Sequence, residues 1–105
     1  MILAMIPSLL NALRAVPDHR APNTIHPLAS MLAMSVCAML CGCTSQLAIT
    51  QWGETHGPRL ANALGFSRPY TPCNTTFHYT FRRLDVAAFQ QALNGWLPSI
   101  TPAQV

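Results

Sequence analysis

The sequence is poor in charged residues. Lysine is absent, and the chain has six arginines but only three acidic residues, Asp18, Glu54 and Asp85. Charged residues make up 9% of the chain, against roughly 25% in an ordinary soluble domain. Three acids spread along the chain do not suggest the converging carboxylates of a two-metal phosphoryl-transfer site. Intrinsic disorder is also excluded, because disordered chains are apolar-poor whereas 50% of these residues are hydrophobic. A chain with so little charge is expected to contact a partner, a membrane or the rest of a longer polypeptide.

Sequence motifs of catalysis are missing as well. The chain has no G-x-S-x-G, no H-E-x-x-H and no glycine-rich phosphate loop. Its four histidines are scattered along the sequence. We therefore expect no catalytic residue and no cofactor, and predict that the chain is not an enzyme.

The four cysteines are Cys37, Cys41, Cys43 and Cys73, and no C-x-x-C pair is present. A zinc site made by the first three with a histidine is conceivable, because residues i and i+4 share a helix face. The favoured interpretation is small buried hydrophobic side chains in a reducing cytoplasm. We thus expect no metal and a cytoplasmic location.

The longest apolar segment covers residues 26–43, and no charged residue lies between Arg20 and Glu54. Its length approaches the ~17-residue lower limit for a membrane-spanning helix. Ser30 and Ser35 interrupt it, and no aromatic residues flank its ends as they do in spanning helices. A buried central helix is the preferred interpretation, and a membrane is not expected as a partner.

Hydrophobic periodicity predicts an all-α fold, a small bundle of about five to six helices. The first follows Pro7 and stops at Pro17, and the second runs from Leu28 to Cys41 with Gly42 as its stop. The third covers residues 46–56 after a Thr44 or Ser45 cap, and the fourth covers residues 58–64.

Two further helices are expected in the C-terminal half. Thr71 and Pro72 are predicted to open the fifth, and Asp85 to cap the sixth. The predicted inward faces consist of Phe77, Thr80, Phe81 and Leu84 on the fifth helix and Phe89, Leu93, Trp96 and Leu97 on the sixth. Residues 1–97 are expected to form one domain, and residues 98–105, with two prolines and no periodicity, a frayed tail.

The other side of the fifth helix carries polar, aromatic and basic side chains. The candidate DNA contacts are Arg68 in the preceding loop and Thr75, Thr76, His78, Tyr79, Arg82 and Arg83 on the helix. A helix pair with such a second helix is helix-turn-helix-like, although the connection exceeds the usual three to four residues. Hydroxyl and guanidinium groups contact phosphates, so double-stranded DNA is the expected partner. The alternative is a solvated face that only maintains solubility.

Five motifs in order resemble a known family: "VPDHR", "HPLASMLAMSVCAMLCGCTS", "AITQWGETHGPRL", "NTTFHYTFRRLD" and "NGWL". The order is similar to that in the transposase-associated N-terminal domain of H-repeat-associated insertion-sequence transposases, which are DDE-type enzymes. The similarity extends from about Leu9 to Leu97. The residues that match the family pattern are Thr76, Phe77, Arg82, Arg83, Leu84 and Asp85. His78 and Tyr79 depart from it, since relatives often have arginines there.

The resemblance implies what this chain does within a larger enzyme. In the family, a ribonuclease-H-like catalytic domain begins beyond the equivalent of Trp96, with the first catalytic aspartate. The chain is therefore expected to be a truncated, decayed or isolated non-catalytic domain that contacts the DNA ends of the element. The alternative is a docking or dimerisation module, whose partner would be the catalytic domain or a second copy.

Overall fold

The computed structural model describes residues 2–20 and 24–100. Within these ranges the chain forms five α-helices and no strand, which confirms the all-α class. The helices are α1 (Ile2–Leu13), α2 (Leu28–Leu40), α3 (Gln46–Ala63), α4 (Asn74–Arg82) and α5 (Val86–Ile100). The first packs against α2 and α5, and α3 packs against α2 and α4.

The second helix lies at the centre of the fold. Ten of its thirteen residues are buried, and Met31, Leu32 and Met34 are fully enclosed. A helix that is apolar all round needs neighbours on every side, and α1 and α3 supply them. The predicted buried central helix is thus confirmed. No helix in the described ranges is both long and apolar enough to cross a membrane.

Helix α1 begins earlier and ends earlier than expected. It starts at Ile2 and continues through Pro7, where a start after that proline was predicted. Pro7 is exposed and removes only one backbone hydrogen bond, while the extra turn adds the buried Ile6 to the apolar face. The helix ends at Leu13, before the predicted stop at Pro17. The residues after Leu13 form turns instead, one of which is closed by a hydrogen bond from Val16 N to Leu13 O at 3.0 Å.

Helix α3 combines the predicted third and fourth helices across a kink at Gly57. This residue has φ 67° and ψ −154°, a backbone region that is essentially restricted to glycine. The expected break at Gly57 and Pro58 is therefore present as an interruption within one element. At its start, Ser45 Oγ accepts a hydrogen bond from Ala48 N at 3.1 Å, which confirms the predicted serine cap.

The C-terminal helices differ from expectation at their ends. Helix α4 begins at Asn74 after Cys73, not at Thr71–Pro72, because Pro72 is buried in the core and lies before the first helical turn. Asp85 Oδ1 accepts a hydrogen bond from Ala88 N at 3.0 Å, as predicted for the cap of α5.

Helix α5 passes beyond the predicted start of the tail. Residues 98–100 are helical, since Pro98 is accommodated within α5, while residues 101–105 lie outside the described residues. Trp96 is buried, but Leu97 is exposed and does not belong to the inward face. Consecutive helical residues point about 100° apart, so the two side chains cannot share one buried direction.

The cysteines occupy different environments. Cys37 is buried, and burial, aided by Cys41, raises the pKa of its thiol to about 11. Cys41 and Cys73 are exposed and Cys43 is half-buried, so the prediction of buried cysteines is right for Cys37 alone. In the part of the chain that the structure describes, no three His, Cys, Asp or Glu residues are grouped to hold a metal ion.

Candidate functional site

Helix α4, which carries most of the candidate residues, is anchored to the fold at three points. Gln46 Nε2 donates to Asn74 O and Oδ1 at 3.1 and 2.8 Å, which fixes the start of the helix. Phe77 is fully buried in the core. Farther along, Thr80 Oγ1 donates to Met31 Sδ of α2 at 3.6 Å. The outward side chains therefore project from a firmly seated helix.

The outward residues of α4 divide into two stripes. Thr75, His78 and Arg82 are exposed on one side. The second stripe lines a cleft of about 500 Å³ and consists of Thr76 and Tyr79, followed by Arg83, the C-cap of the helix. Arg83 lines this cleft and Arg82 does not, so the two neighbouring arginines face different surroundings.

The opposite wall of the cleft comes from the loop between α1 and α2. Its residues are Arg20, Thr24, Ile25 and His26, and Thr80 of α4 completes the lining. Ser67 Oγ donates to Ile25 O at 3.0 Å, which ties this loop to the connection between α3 and α4. The cleft is thus built by segments that are far apart in the sequence.

Arg20 is held in place by Asp18. Asp18 Oδ1 accepts from Arg20 Nε at 2.9 Å and from Arg20 N at 3.0 Å, and Asp18 Oδ2 accepts from Nη2 at 2.9 Å. The remaining Nη1 lies 3.3 Å from Met31 Sδ. These hydrogen bonds hold the pKa of Asp18 below its ordinary value. The "VPDHR" motif therefore forms a self-contained ion pair at the rim of the cleft.

His26 is the buried polar residue of the cleft. Only 6% of its surface is exposed, and its ring meets Phe66 and Tyr70 edge-on at centroid distances of 5.5 and 5.8 Å. Among the described residues, its Nδ1 has no hydrogen-bond partner. Burial, followed by the charges of Arg20 and Arg68, lowers the pKa of this imidazole. The site thus contains a desolvated histidine near the charges of two arginines.

The sequence matches the model of a known protein family. The family model described as DDE_Tnp_1-associated matches residues 10–97. The chain belongs to this family. The resemblance to a transposase-associated N-terminal domain is thereby confirmed, and the matched region is the associated domain, distinct from the catalytic one.

A curated relative matches most of this chain over only part of its own length. The "Uncharacterized protein in dhlA 3′region" of Xanthobacter autotrophicus is 30% identical over 95 residues. The match covers 89% of this chain and 32% of the relative. The DDE_Tnp_1-associated domain therefore spans about a third of that relative's length. No solved structure matches the chain.

The basic side chains of this DDE_Tnp_1-associated domain are mostly not neutralised by acids. In the described ranges, the salt bridge is that between Asp18 and Arg20. Arg68, Arg82 and Arg83 are exposed, and none has an acidic partner among the described residues. Exposed guanidinium groups of this kind are suited to bind phosphate in one or two hydrogen bonds.

Sequence reasoning found one wall of the site and missed the other. All seven predicted residues are exposed or partly exposed, as contact residues must be. Thr76, Tyr79 and Arg83 come together in the cleft, and Arg68 is close enough to influence His26. The residues missed are Arg20, Thr24, Ile25 and His26, and Thr80, which was assigned to the core only. An arginine and a histidine in one loop were the available signal, because loops commonly carry binding residues.

The buried His26 predicts that stability falls on acidification. An unfolded histidine binds a proton near pH 6.5, whereas the folded pKa is lowered. Below about pH 6.5 the unfolded state therefore binds more protons, and the free energy of unfolding falls by at most about 1.4 kcal/mol per pH unit. Urea unfolding between pH 8 and pH 5 measures this slope. We expect His26→Phe to reduce the slope. A slope identical in the wild type and in His26→Phe would contradict the assignment.

Proposed function

We propose that this domain contacts double-stranded DNA through α4 on behalf of a DDE-type transposase, and that it takes no part in the chemistry. The supporting observation is that Arg68, Arg82 and Arg83 are all exposed and have no acidic partner among the described residues. Thr75 and His78 add hydrogen-bonding groups beside Arg82. The element ends in the cytoplasm are the expected DNA.

Backbone contact is favoured over base reading. Six arginines and a net charge of +3 are modest for a DNA-binding domain, and most protein–DNA hydrogen bonds go to phosphate and sugar. Arg83 lines the cleft and Arg82 does not, so their guanidinium groups are not placed to read one base together. The domain would position the transposase on its DNA, while sequence recognition would rest with other contacts.

Fluorescence anisotropy of a labelled blunt duplex, titrated at several salt concentrations, tests this proposal. Each neutralised phosphate contributes about −0.9 to the slope of log K against log salt, so three arginine contacts predict roughly −2 to −3. The Arg82→Ala/Arg83→Ala variant should weaken binding and reduce the steepness of the slope by about 2.

The matched control is Arg14→Ala/Arg59→Ala, which removes the same net charge from exposed positions outside α4. This control should retain most of the slope. Equal losses in both variants would show that only overall charge matters, and no binding at low salt by the folded protein would overturn the proposal.

A docking function is the second candidate, because apolar side chains are exposed where α2 passes into α3. Met39 and Leu40 end α2, Leu47 begins α3, and each is about half exposed. Such residues would suit contact with the catalytic domain or with a second copy. Sedimentation discriminates the two functions: a dimer that persists at high salt, together with no DNA binding, would favour docking.

A further inference from the structure

The cleft beside α4 is larger than a phosphate group and has apolar as well as basic lining residues. Its volume of about 500 Å³ lies within the range of small-molecule sites. Two of its lining residues present apolar surface to solvent, Tyr79 with 53% and Ile25 with 47% of their surfaces exposed. A cleft with an exposed aromatic ring can bind a flat ring system by stacking.

The cations of the cleft lie beside this apolar surface. Arg83 lines the same cavity and has no acidic partner among the described residues. Arg20 also lines it, but Asp18 offsets its charge. The hydroxyls of Thr24 and Thr76 add donors and acceptors. An anionic group is therefore best placed near Arg83, while the neutral rim at Arg20 suits an uncharged polar ligand atom.

His26 adds a buried polar side chain to the cleft. It lines the cleft, is 94% buried, and its Nδ1 has no partner in the described part of the chain. A buried polar atom without a partner is uncommon in native proteins and calls for an explanation. This nitrogen is itself enclosed by protein, so the imidazole gives polar character to the wall of the cleft.

From this combination we propose that the cleft binds one unpaired nucleotide of a DNA strand. The base would stack on Tyr79 beside Ile25, with a polar edge near His26 and the adjoining phosphate near Arg83. A base pair in the interior of a duplex is stacked on both faces and cannot offer one to Tyr79. The inference rests on the proposed DNA contact of α4 and specifies that the domain favours strand ends or other unpaired positions.

A second cleft offers a useful contrast. It has a volume of about 570 Å³ and is lined by residues that include Trp52, His56 and Arg59. Trp52 is half-buried and already packs on His56 at a ring-centroid distance of 4.9 Å. Tyr79 also meets a histidine ring, that of His78 at a centroid distance of 5.8 Å, but it is 53% exposed whereas Trp52 is half-buried.

The test compares two labelled duplexes in the same anisotropy assay, one blunt and one with a three-thymidine overhang. Base–aromatic stacking is worth ~1–3 kcal/mol per base, so we expect the overhang to raise affinity about tenfold. Tyr79→Ala should reduce this ratio to about one, and Tyr79→Phe should retain it. Trp52→Ala removes the aromatic ring of the second cleft and should leave the ratio intact.

The outcomes separate this inference from the proposed function. Equal binding of both duplexes by the wild type overturns the cleft assignment but leaves the DNA contact of α4. An overhang preference that survives Tyr79→Ala likewise overturns the assignment. Binding of the overhang duplex alone supports the cleft and overturns the duplex contact. No binding of either duplex overturns both.

Discussion

Replacing Phe77 by alanine is expected to lower the free energy of unfolding by about 3–5 kcal/mol. Phe77 is the largest of the fully buried side chains and joins α4 to the common core. Its loss removes transfer free energy and leaves a cavity, because neighbouring side chains relax only partly. Domains of this size commonly have 5–15 kcal/mol of total stability, so the variant should fold but unfold at much lower urea concentration.

The control for Phe77 lies one turn farther along the same helix. Phe81 packs against Phe77 at a ring-centroid distance of 5.6 Å but is only half-buried. Phe81→Ala should therefore cost distinctly less in the same urea titration, followed by circular dichroism. Equal losses for the two variants would mean that α4 is not seated through Phe77.

The second large effect is expected at Trp96, where replacement by alanine should also cost about 3–5 kcal/mol. Only 4% of Trp96 is exposed, and its Nε1 donates to Ser8 Oγ at 3.0 Å, which joins α5 to α1. Both the packing and this hydrogen bond are lost in the variant. Without them, α5 would lose a buried contact and a hydrogen bond that attach it to α1.

The other tryptophan serves as the matched control. Trp52 is half-buried at the rim of the second cleft, so Trp52→Ala should lower stability less than Trp96→Ala. Thermal and urea unfolding followed by circular dichroism compare the two without relying on tryptophan emission. If Trp52→Ala proved the more damaging change, the proposed attachment of α5 would be wrong.

Several elements could be predicted from the sequence because their causes are local. The apolar segment of α2 is uniform enough to require burial on all sides. Ser45 and Asp85 precede apolar runs at cap positions, and both accept the predicted hydrogen bonds. The helix ends near Pro7 and Pro98 were less predictable, because both prolines lie inside a helix. Each removes one backbone hydrogen bond, and the other interactions of the helix outweigh that loss.

The sequence by itself determined the helical class, the buried central helix, the family, and the polar composition of the exposed side of α4. Only the tertiary structure decided which of these residues act together. It separated Arg82 from Arg83 and placed Arg83 opposite His26. The cleft depends on a loop without periodicity meeting a distant helix, and contacts between remote segments are set by how the helices pack, which no local pattern encodes.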